Sequence, residues 1–141
     1  FLHIPSLFNP NLLSSGNVLI SGSTEGNLGG PNKFNSNAWV AKYSPDGALL
    51  WTKKLGSNGS DYSYGVATDS IGNVLISGST AGKIGVVDKG GDDAFVAAYS
   101  PDGQLRWKRQ GRVSGHWNNY SSGVAADGSG NTFISGYSSR R

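Results

Sequence analysis

Apolar residues in the middle of the chain fall into four short stretches that are separated by residues favouring turns. The stretches are 65–69, 74–78, 94–100 and 104–110. Each is rich in β-branched or aromatic residues and is bounded by Gly, Asn, Asp or Pro, a pattern typical of short strands. The pattern therefore predicts four β-strands, which are called a, b, c and d in chain order.

Apolar positions in strands b and c fall on both faces of the predicted sheet. In strand b, Val74 and Ile76 lie on one face and Leu75 on the other. A sheet with two apolar faces must be covered on both sides. Strand a instead carries small residues such as Ala67, as expected for a strand that is crowded near an axis.

Strand d alternates between apolar and charged residues along its length. Leu105 and Trp107 lie on one face, and Arg106 and Lys108 lie on the other. Charged residues on an outer strand protect a sheet from edge-to-edge aggregation. A small inner strand, two apolar middle strands and a charged outer strand together predict an all-β fold built from β-propeller blades of four antiparallel strands.

The strand pattern repeats along the chain. Residues 16–24 recur without a change as 72–80, and a degraded third copy occupies 130–136. A second phrase, 38–47, returns as 94–103 at the same offset of 56 positions. Repetition at a fixed period indicates an array of one supersecondary unit, whose copies bury their faces against one another.

Two Ser-Pro-Asp-Gly sequences, 44–47 and 100–103, separate strands c and d. Proline presets the φ angle of the second turn position, Asp bonds back to the backbone, and Gly adopts the positive φ at the end of the turn. Both sequences are therefore interpreted as hairpin turns. Asp69 and Asp127 occupy matching positions where strand a ends and the turn to strand b begins, and we expect them to form turns as well.

These phrases resemble the bacterial seven-bladed β-propeller repeat, abbreviated SBBP. The resemblance extends over residues 16–136 and rests on Gly-Val-Ala-Thr-Asp at 65–69, Gly-Asn-Val at 72–74, Asp-Ala-Phe-Val at 93–96, Tyr-Ser-Pro-Asp-Gly at 99–103 and Leu-Arg-Trp at 105–107. NHL repeats are more distantly similar, but they lack the Leu-x-Trp strand. The resemblance implies a propeller of the kind found in large secreted or surface-associated bacterial proteins, and it implies no catalytic residue.

The repeats divide the chain into unequal parts. Residues 1–15 are an irregular segment, 16–56 a partial blade with strands b, c and d, 57–111 a complete blade, and 112–141 a partial blade with strands a and b and a tail. About two and a quarter blades are predicted, whereas a closed ring needs at least about four. We therefore expect a segment of a longer propeller, or a chain whose exposed blade faces are covered by other blades or chains.

Composition narrows the range of partners. The net charge of +3 comes mostly from scattered basic residues, whereas nucleic-acid-binding proteins concentrate such residues on one face, so no nucleic-acid partner is expected. The chain has no cysteine, which excludes disulfides and thiolate metal sites. No run approaches the roughly 20 apolar residues of a transmembrane helix, so no membrane span is expected.

Two residues without a counterpart in the other copies lie in the predicted loop 111–122, between strands d and a. His116 and Trp117 have no counterparts in the shorter loop 56–64. Trp117, flanked by His116 and Asn118, is the candidate for a sugar-binding platform, in which hydrogen-bonding groups border an aromatic face. The alternative is that Trp117 packs against the next blade.

Other polar residues of these loops are interpreted as structural. Alignment of the two loops on the glycines that follow them pairs Asp61 with Asn119 and Tyr62 with Tyr120. Because all four residues recur at matching positions, we expect them to support the fold rather than a ligand.

Three aspartates in the loop between strands b and c suggest a second kind of site. Asp88, Asp92 and Asp93 stand near glycines, and a hard cation is one interpretation of such a cluster. No calcium-loop spacing is present, however, and Asp93 matches Asn37 at the start of strand c. Turn-capping aspartates are therefore the favoured interpretation.

Three functional hypotheses remain open. The favoured one is a non-enzymatic scaffold or protein-interaction module of a secreted or cell-surface bacterial protein, with no cofactor and no metal. The alternative is a glycan-binding propeller that uses the long loops. The third is part of an enzyme, because the Leu-x-Trp strand is also similar to that of quinoprotein dehydrogenase propellers, whose tryptophan motifs dock blades to one another. Those enzymes need a whole ring, and a chain with two histidines and no cysteine is not expected to hold a Cys–His pair.

Overall fold

The computed structural model of the chain describes residues 16–28, 35–85, 91–111 and 117–140. In these residues the chain forms nine β-strands and no helix. The strands are β1 (Val18–Thr24), β2 (Asn37–Tyr43), β3 (Leu49–Leu55), β4 (Asp61–Thr68), β5 (Val74–Thr80), β6 (Asp93–Tyr99), β7 (Leu105–Gly111), β8 (Trp117–Ala126) and β9 (Thr132–Arg140). The described residues therefore contain no helical candidate for a membrane span.

Consecutive strands pair to form three antiparallel sheets. The first sheet contains β1, β2 and β3, the second contains β4 to β7, and the third contains β8 and β9, each in chain order. The second sheet is a complete blade, while the first has strands b, c and d and the third has strands a and b. The predicted all-β architecture of a partial β-propeller is therefore confirmed.

Strand a is longer than the sequence pattern predicted. In the second sheet it begins at Asp61 rather than at Gly65, and Asp61 lies opposite Thr80 of β5. A β-bulge between Ser63 and Gly65 absorbs one extra residue, so the ladder continues past the point where the alternation of the sequence breaks.

The third sheet corrects the prediction of a loop over residues 111–122. β7 ends at Gly111 and β8 begins at Trp117, so Trp117 and Asn118 are strand residues that pair with Arg140 and Ser139 of β9. The physical reason is that β9 continues beyond the repeated phrase to Arg140. β8 therefore has a longer partner for its backbone hydrogen bonds.

Both kinds of predicted hairpin turn are confirmed. In the c–d turn of the second sheet, the Gly103 N–H donates to the Ser100 carbonyl at 2.9 Å, and Gly103 has a φ of +92°. The Ser100 hydroxyl donates to the Asp102 carboxylate and lowers the pKa of that group. In the a–b turns, the Oδ1 atoms of Asp69 and Asp127 accept the N–H groups of the residues four positions later, at 2.8 and 2.9 Å.

The hydrophobic core lies between the first and second sheets. Every residue of β5 is buried, and so are six of the seven residues of β6. This burial agrees with the apolar residues predicted on both faces of strands b and c. The core cluster consists of Ala38, Val40, Leu55, Val74, Ile76, Ile84, Phe95, Ala97 and Tyr99.

Candidate functional site

A tryptophan of the first sheet docks onto the second sheet. Trp51 lies on β3, and its indole N–H donates to the carbonyl oxygen of Pro101 at 3.0 Å. The centroid of its ring is 6.1 Å from that of Tyr99. Lys42 also donates to the Pro101 carbonyl, at 2.9 Å. The c–d turn of the second sheet is therefore a docking surface for the outer strand of the first.

The inner strand of the second sheet begins with a buried carboxylate. Asp61 is 0% exposed and accepts hydrogen bonds from the Ser57 N–H at 2.7 Å, the Ser57 hydroxyl at 2.8 Å and the Thr80 hydroxyl. Burial raises the pKa of Asp61, and these hydrogen bonds oppose that shift. The carboxylate thus holds the preceding loop, strand a and strand b together.

Adjacent sheets are also joined by equivalent backbone hydrogen bonds. The Asp61 N–H donates to the Ser36 carbonyl at 2.8 Å, and the Asn119 N–H donates to the Asp92 carbonyl at the same distance. Asp61 and Asn119 are both buried, in agreement with the structural role expected for these two of the four aligned residues. Each junction therefore joins the start of one inner strand to the residue that precedes strand c of the previous sheet.

The junction between the second and third sheets carries extra polar contacts. The Asp92 N–H donates to Asn118 Oδ1 at 3.2 Å, and the Tyr120 hydroxyl donates to Asp92 Oδ2 at 2.7 Å. The hydrogen bond to Asp92 raises the pKa of Tyr120. Asp92 is thus a partner for the third sheet, a role that the turn-capping interpretation missed.

Four tyrosines gather at this junction. The rings of Tyr120 and Tyr137 stack at 4.9 Å, and those of Tyr62 and Tyr64 stack at 6.1 Å. Tyr64 and Tyr137 remain 56% and 63% exposed. Partial burial raises the pKa of Tyr64, with smaller contributions from Tyr62, Tyr137 and Asp92. We call these four residues and Asp92 the tyrosine junction.

A cleft of about 290 Å³ opens beside the tyrosine junction. Its walls are formed by β8 and β9 together with Ala94. Ile134, Tyr137 and Ser138 are among the residues that line this cleft. Aromatic faces beside polar groups suit a ligand that has both apolar and hydrogen-bonding surfaces.

Two members of the tyrosine junction break the repeat. Tyr137 occupies the strand-b position that holds Ser23 in the first copy and Ser79 in the second, and Tyr64 aligns with Ser122 of the third sheet. These strand positions lie outside the predicted loop 111–122, in which the candidate binding residues were expected. The available signal was the end of the third phrase, where Ser-Gly-Tyr replaces Ser-Gly-Ser.

The proposed sugar platform is only partly described by the structure. His116 lies outside the described residues, and Trp117 is described as the first residue of β8 without its side chain. Asn118 contacts Asp92 at the sheet junction. The suggested grouping of His116, Trp117 and Asn118 around a ligand therefore stays a prediction.

Two of the three aspartates considered for a cation, Asp92 and Asp93, bind other groups of the protein. Asp88 lies outside the described residues. Asp93 is buried and accepts a hydrogen bond from Gln110 Nε2 at 3.0 Å. No cluster of three or more His, Cys, Asp or Glu suited to a metal ion occurs in the part of the chain that the structure describes.

Comparison with known proteins agrees with the repeat. Residues 50–85 match the family model of the SBBP beta-propeller repeat, which confirms the resemblance seen in the sequence. The chain is also 35% identical over 78 residues to the quinoprotein alcohol dehydrogenase PedH of Pseudomonas putida. The match covers 55% of this chain and 12% of the dehydrogenase. The chain therefore carries β-propeller repeats and matches a small part of a much longer protein.

Proposed function

We propose that this chain is a non-enzymatic β-propeller scaffold or protein-interaction module of a secreted or cell-surface bacterial protein. The observation that supports the proposal is that the described carboxylates form hydrogen bonds with other parts of the fold. The buried carboxylates of Asp61 and Asp93 bind groups of their own sheet, and Asp92 binds the next sheet. Carboxylates, which are among the groups often used for catalysis, therefore hold strands of one blade together and, at Asp92, join two blades.

The carboxylates with lowered pKa values also support a structural role. Hydrogen bonds within the hairpin turns lower the pKa values of Asp46, Asp102 and Asp127. In each case the first cause is a side chain of the same turn, either Ser or Asn. The hydrogen bonds of these turns stabilise the ionised carboxylates and so lower their pKa values. Carboxylates held in this way are not poised to act as a general acid or base.

The similarity to PedH supplies the test of the scaffold proposal. Purified chain is incubated with a quinone cofactor, primary alcohols and an electron-accepting dye, and PedH is assayed in parallel as the positive control. A scaffold gives a dye-reduction rate equal to that of the cofactor alone. A rate above that background, lost on heat denaturation of the chain, would contradict the proposal and favour an enzymatic role.

A second candidate function is glycan binding, and the tyrosine junction favours it. Tyr64 and Tyr137 expose aromatic rings, Tyr137 lines the cleft, and its stacking partner Tyr120 donates a hydrogen bond to the Asp92 carboxylate. Sugars bind to such surfaces through their apolar ring faces and their hydroxyl groups. Under this alternative the ligand lies across the second and third sheets, close to the predicted residues Trp117 and Asn118.

A glycan array with matched variants tests this alternative. Tyr137→Ser restores the residue of the other two copies and removes the exposed ring without placing a foreign residue in the strand. Glycan binding by the intact chain that is lost in Tyr137→Ser and in Trp117→Ala would support a lectin role. Absence of binding by the intact chain, with native circular dichroism, would reject it.

A further inference from the structure

We propose that the outer edge of β7 binds an acidic segment of a partner protein. A groove of about 650 Å³ follows this edge and is lined by residues 105–109 together with Lys83, Ile84 and Gly85. Because consecutive residues of one strand line it, the groove runs along the strand for roughly 17 Å. The proposal rests on the scaffold role and names the chemistry of the partner that the scaffold binds.

Basic side chains converge on this groove. The exposed residues that supply them are Lys83, Arg106, Lys108 and Arg109. They are a third of the 12 basic residues of the chain, and none of the described residues that line the groove is acidic. Complementary charge attracts the correct partner, and like charge repels other surfaces, including the same edge of a second copy. The charge of the groove therefore fits an acidic partner.

Most of this charge is absent from the first copy of the repeat. At the offset of 56 positions, residues 83, 106 and 108 correspond to Asn27, Leu50 and Thr52. The first and second sheets share the order of strands b, c and d and the sequence of strand b. The blade fold therefore does not require basic residues at these three positions. Their charge is a property of this one groove and not of the repeat.

The exposure of this edge does not depend on the end of the array. β3 is the equivalent edge of the first sheet, and Trp51 on β3 docks onto the second sheet. Leu49 and Leu50 of β3 are nevertheless 57% and 51% exposed. The outer edge of a blade thus stays open to solvent when a neighbouring sheet packs beside it. Trp107 is not assigned to the partner, because its counterpart Trp51 binds the next sheet.

One wall of the groove is held in place by Gln110. Its Oε1 accepts the N–H groups of Ile84 and Gly85 at 2.8 and 3.0 Å, and its Nε2 donates to the Gly82 carbonyl at 2.9 Å. The side chain of Ile84 is buried in the core. These contacts fix the segment that carries Lys83 beside β7. Its ammonium group is therefore presented to a partner without further ordering of the backbone.

The edge favours recognition by side chains over addition of another strand. A bulge leaves Arg106 without an opposing residue on β6. The Arg109 guanidinium donates to the Lys108 carbonyl at 2.9 Å, which occupies a main-chain acceptor of the strand. Bulges and charged residues both oppose the pairing of an edge with a further strand. The partner is therefore held by its carboxylates and not by a backbone ladder.

The apolar surface of the groove indicates the class of the partner. Leu105 is exposed in the groove, and the stems of long basic side chains add further aliphatic surface. Sugars and nucleotide bases bind by stacking on aromatic rings, and Trp107 is not assigned to this role. Aliphatic surface beside basic groups instead fits a protein segment in which Asp or Glu residues flank an aliphatic residue.

Fluorescence polarisation of a labelled peptide tests the proposal on the intact chain. The probe is a peptide of about eight residues in which Glu alternates with Leu, because that length spans the groove when extended. In the control peptide, Gln replaces every Glu. At low ionic strength the acidic peptide is expected to bind at least roughly ten-fold more tightly than the control. Added salt should reduce this difference.

Variants of the chain locate the binding site. Lys83→Asn and Lys108→Thr restore the residues of the first copy, so the blade fold accommodates both. Each should weaken binding of the acidic peptide roughly three-fold, and the double variant should weaken it roughly ten-fold. Lys53→Thr is the matched control, because it removes the same charge from the outer strand of the first sheet. It should bind the peptide like the native chain, and circular dichroism checks the fold of every variant.

Three results would overturn the proposal. The first is equal binding of the acidic and the control peptide, including no binding of either. The second is an equal loss in Lys53→Thr and Lys108→Thr. The third is tighter binding of a uronate oligosaccharide or a single-stranded oligothymidylate of the same charge, which would assign the groove to another class of polyanion. The dye-reduction assay does not involve this groove, so a chain that binds no acidic peptide and reduces no dye would lack the acidic partner but keep the scaffold role.

Discussion

The first and second sheets contain the same seven-residue strand in two different surroundings. All residues of β5 are buried, whereas β1 alternates between exposed and half-buried residues. Ile76 is 0% exposed and its counterpart Ile20 is 41% exposed. Since the local sequence is identical, the difference arises entirely from the neighbouring strands. Burial in this molecule is therefore a property of position in the array.

The neighbours that bury β5 can be named. β4 and β6 cover its two edges, and the core between the first and second sheets covers one face through Val74 and Ile76. Residues of β8 contribute to the other side, where the Ser121 hydroxyl donates to Ser77 Oγ at 3.0 Å. β1 has a single strand neighbour in the described residues. The contrast predicts that the same substitution has different effects in the two strands.

The largest contrast is expected for the central glycine. Gly78→Ala places a Cβ 1.7 Å from the Tyr62 carbonyl oxygen, and backbone atoms on both strands must separate to relieve the clash. We expect a loss of about 4 kcal/mol in the free energy of unfolding, above the usual range for overpacking. Urea denaturation followed by tryptophan fluorescence measures this loss.

Gly22→Ala is the matched control for that substitution. The three atoms nearest to its Cβ belong to the Trp39 ring, at 3.1 to 3.3 Å, so a small ring displacement suffices and we expect a loss below about 1 kcal/mol. Equal losses for Gly22→Ala and Gly78→Ala would show that β1 already has a strand on its second edge. That result would remove the contrast between the two sheets.

The next contrast concerns the apolar core. Ile76→Ala removes a fully buried side chain from the cluster between the sheets and should cost about 3 kcal/mol. Ile20→Ala removes the same atoms from a side chain that is 41% exposed and should cost about 1 kcal/mol. Thermal and urea unfolding of both variants at one protein concentration provide the measurement. A larger loss for Ile20→Ala would contradict the burial assigned to β1.

A smaller contrast is expected for the tryptophans of the outer strands. Trp51→Ala removes the indole hydrogen bond to Pro101 and the contact with Tyr99, which should cost about 2 kcal/mol. Trp107 holds the same repeat position on β7 and is half-buried, and its truncation should cost about 1 kcal/mol or less. Urea unfolding distinguishes the two. Equal losses would mean that docking to the next sheet contributes nothing measurable.

The strands and turns of the blades could be predicted from the sequence because each depends on local chemistry. Strand b is apolar on both faces, and the Ser-Pro-Asp-Gly turns adopt the backbone that their residues favour. The start of strand a could not be predicted in this way. Its first residues, from Asp61, precede a bulge whose position is set by pairing with β5, and that pairing is a long-range property.

The candidate site was harder to predict than the fold. A ligand was predicted at Trp117 in a loop, whereas the structure places Trp117 on β8 and joins Tyr120, on which Tyr137 stacks, to Asp92 by a hydrogen bond. These residues are far apart in sequence and meet because adjacent sheets pack against one another. Alignment of the repeats shows that Tyr137 replaces a residue that is serine in the other two copies. Only the packing of the sheets shows which residues it contacts.

The smallest expected effect is on the pH dependence of stability. It concerns Asp61 of the second sheet and its counterpart Asn119 of the third. Burial raises the pKa of Asp61 above its ordinary value near 4, so folding favours the protonated carboxyl. The stability that this group contributes is present below about pH 4 and is lost as the pH rises through its folded-state pKa. Asn119 occupies the equivalent buried position without a titrating group, and the Ser138 hydroxyl donates to its Oδ1 at 3.1 Å.

Asp61→Asn should therefore remove the part of the pH dependence that lies above pH 4. The free energy of unfolding of the native chain should fall with rising pH in that range, by at most about 1.4 kcal/mol per unit, relative to the variant. Below pH 4 both proteins should lose stability alike, because Asp46, Asp102 and Asp127 have lowered pKa values in their turns. Urea unfolding at a series of pH values measures the difference. Parallel curves above pH 4 would show that Asp61 is ionised without cost, and its hydrogen bonds from Ser57 and Thr80 would then outweigh its burial.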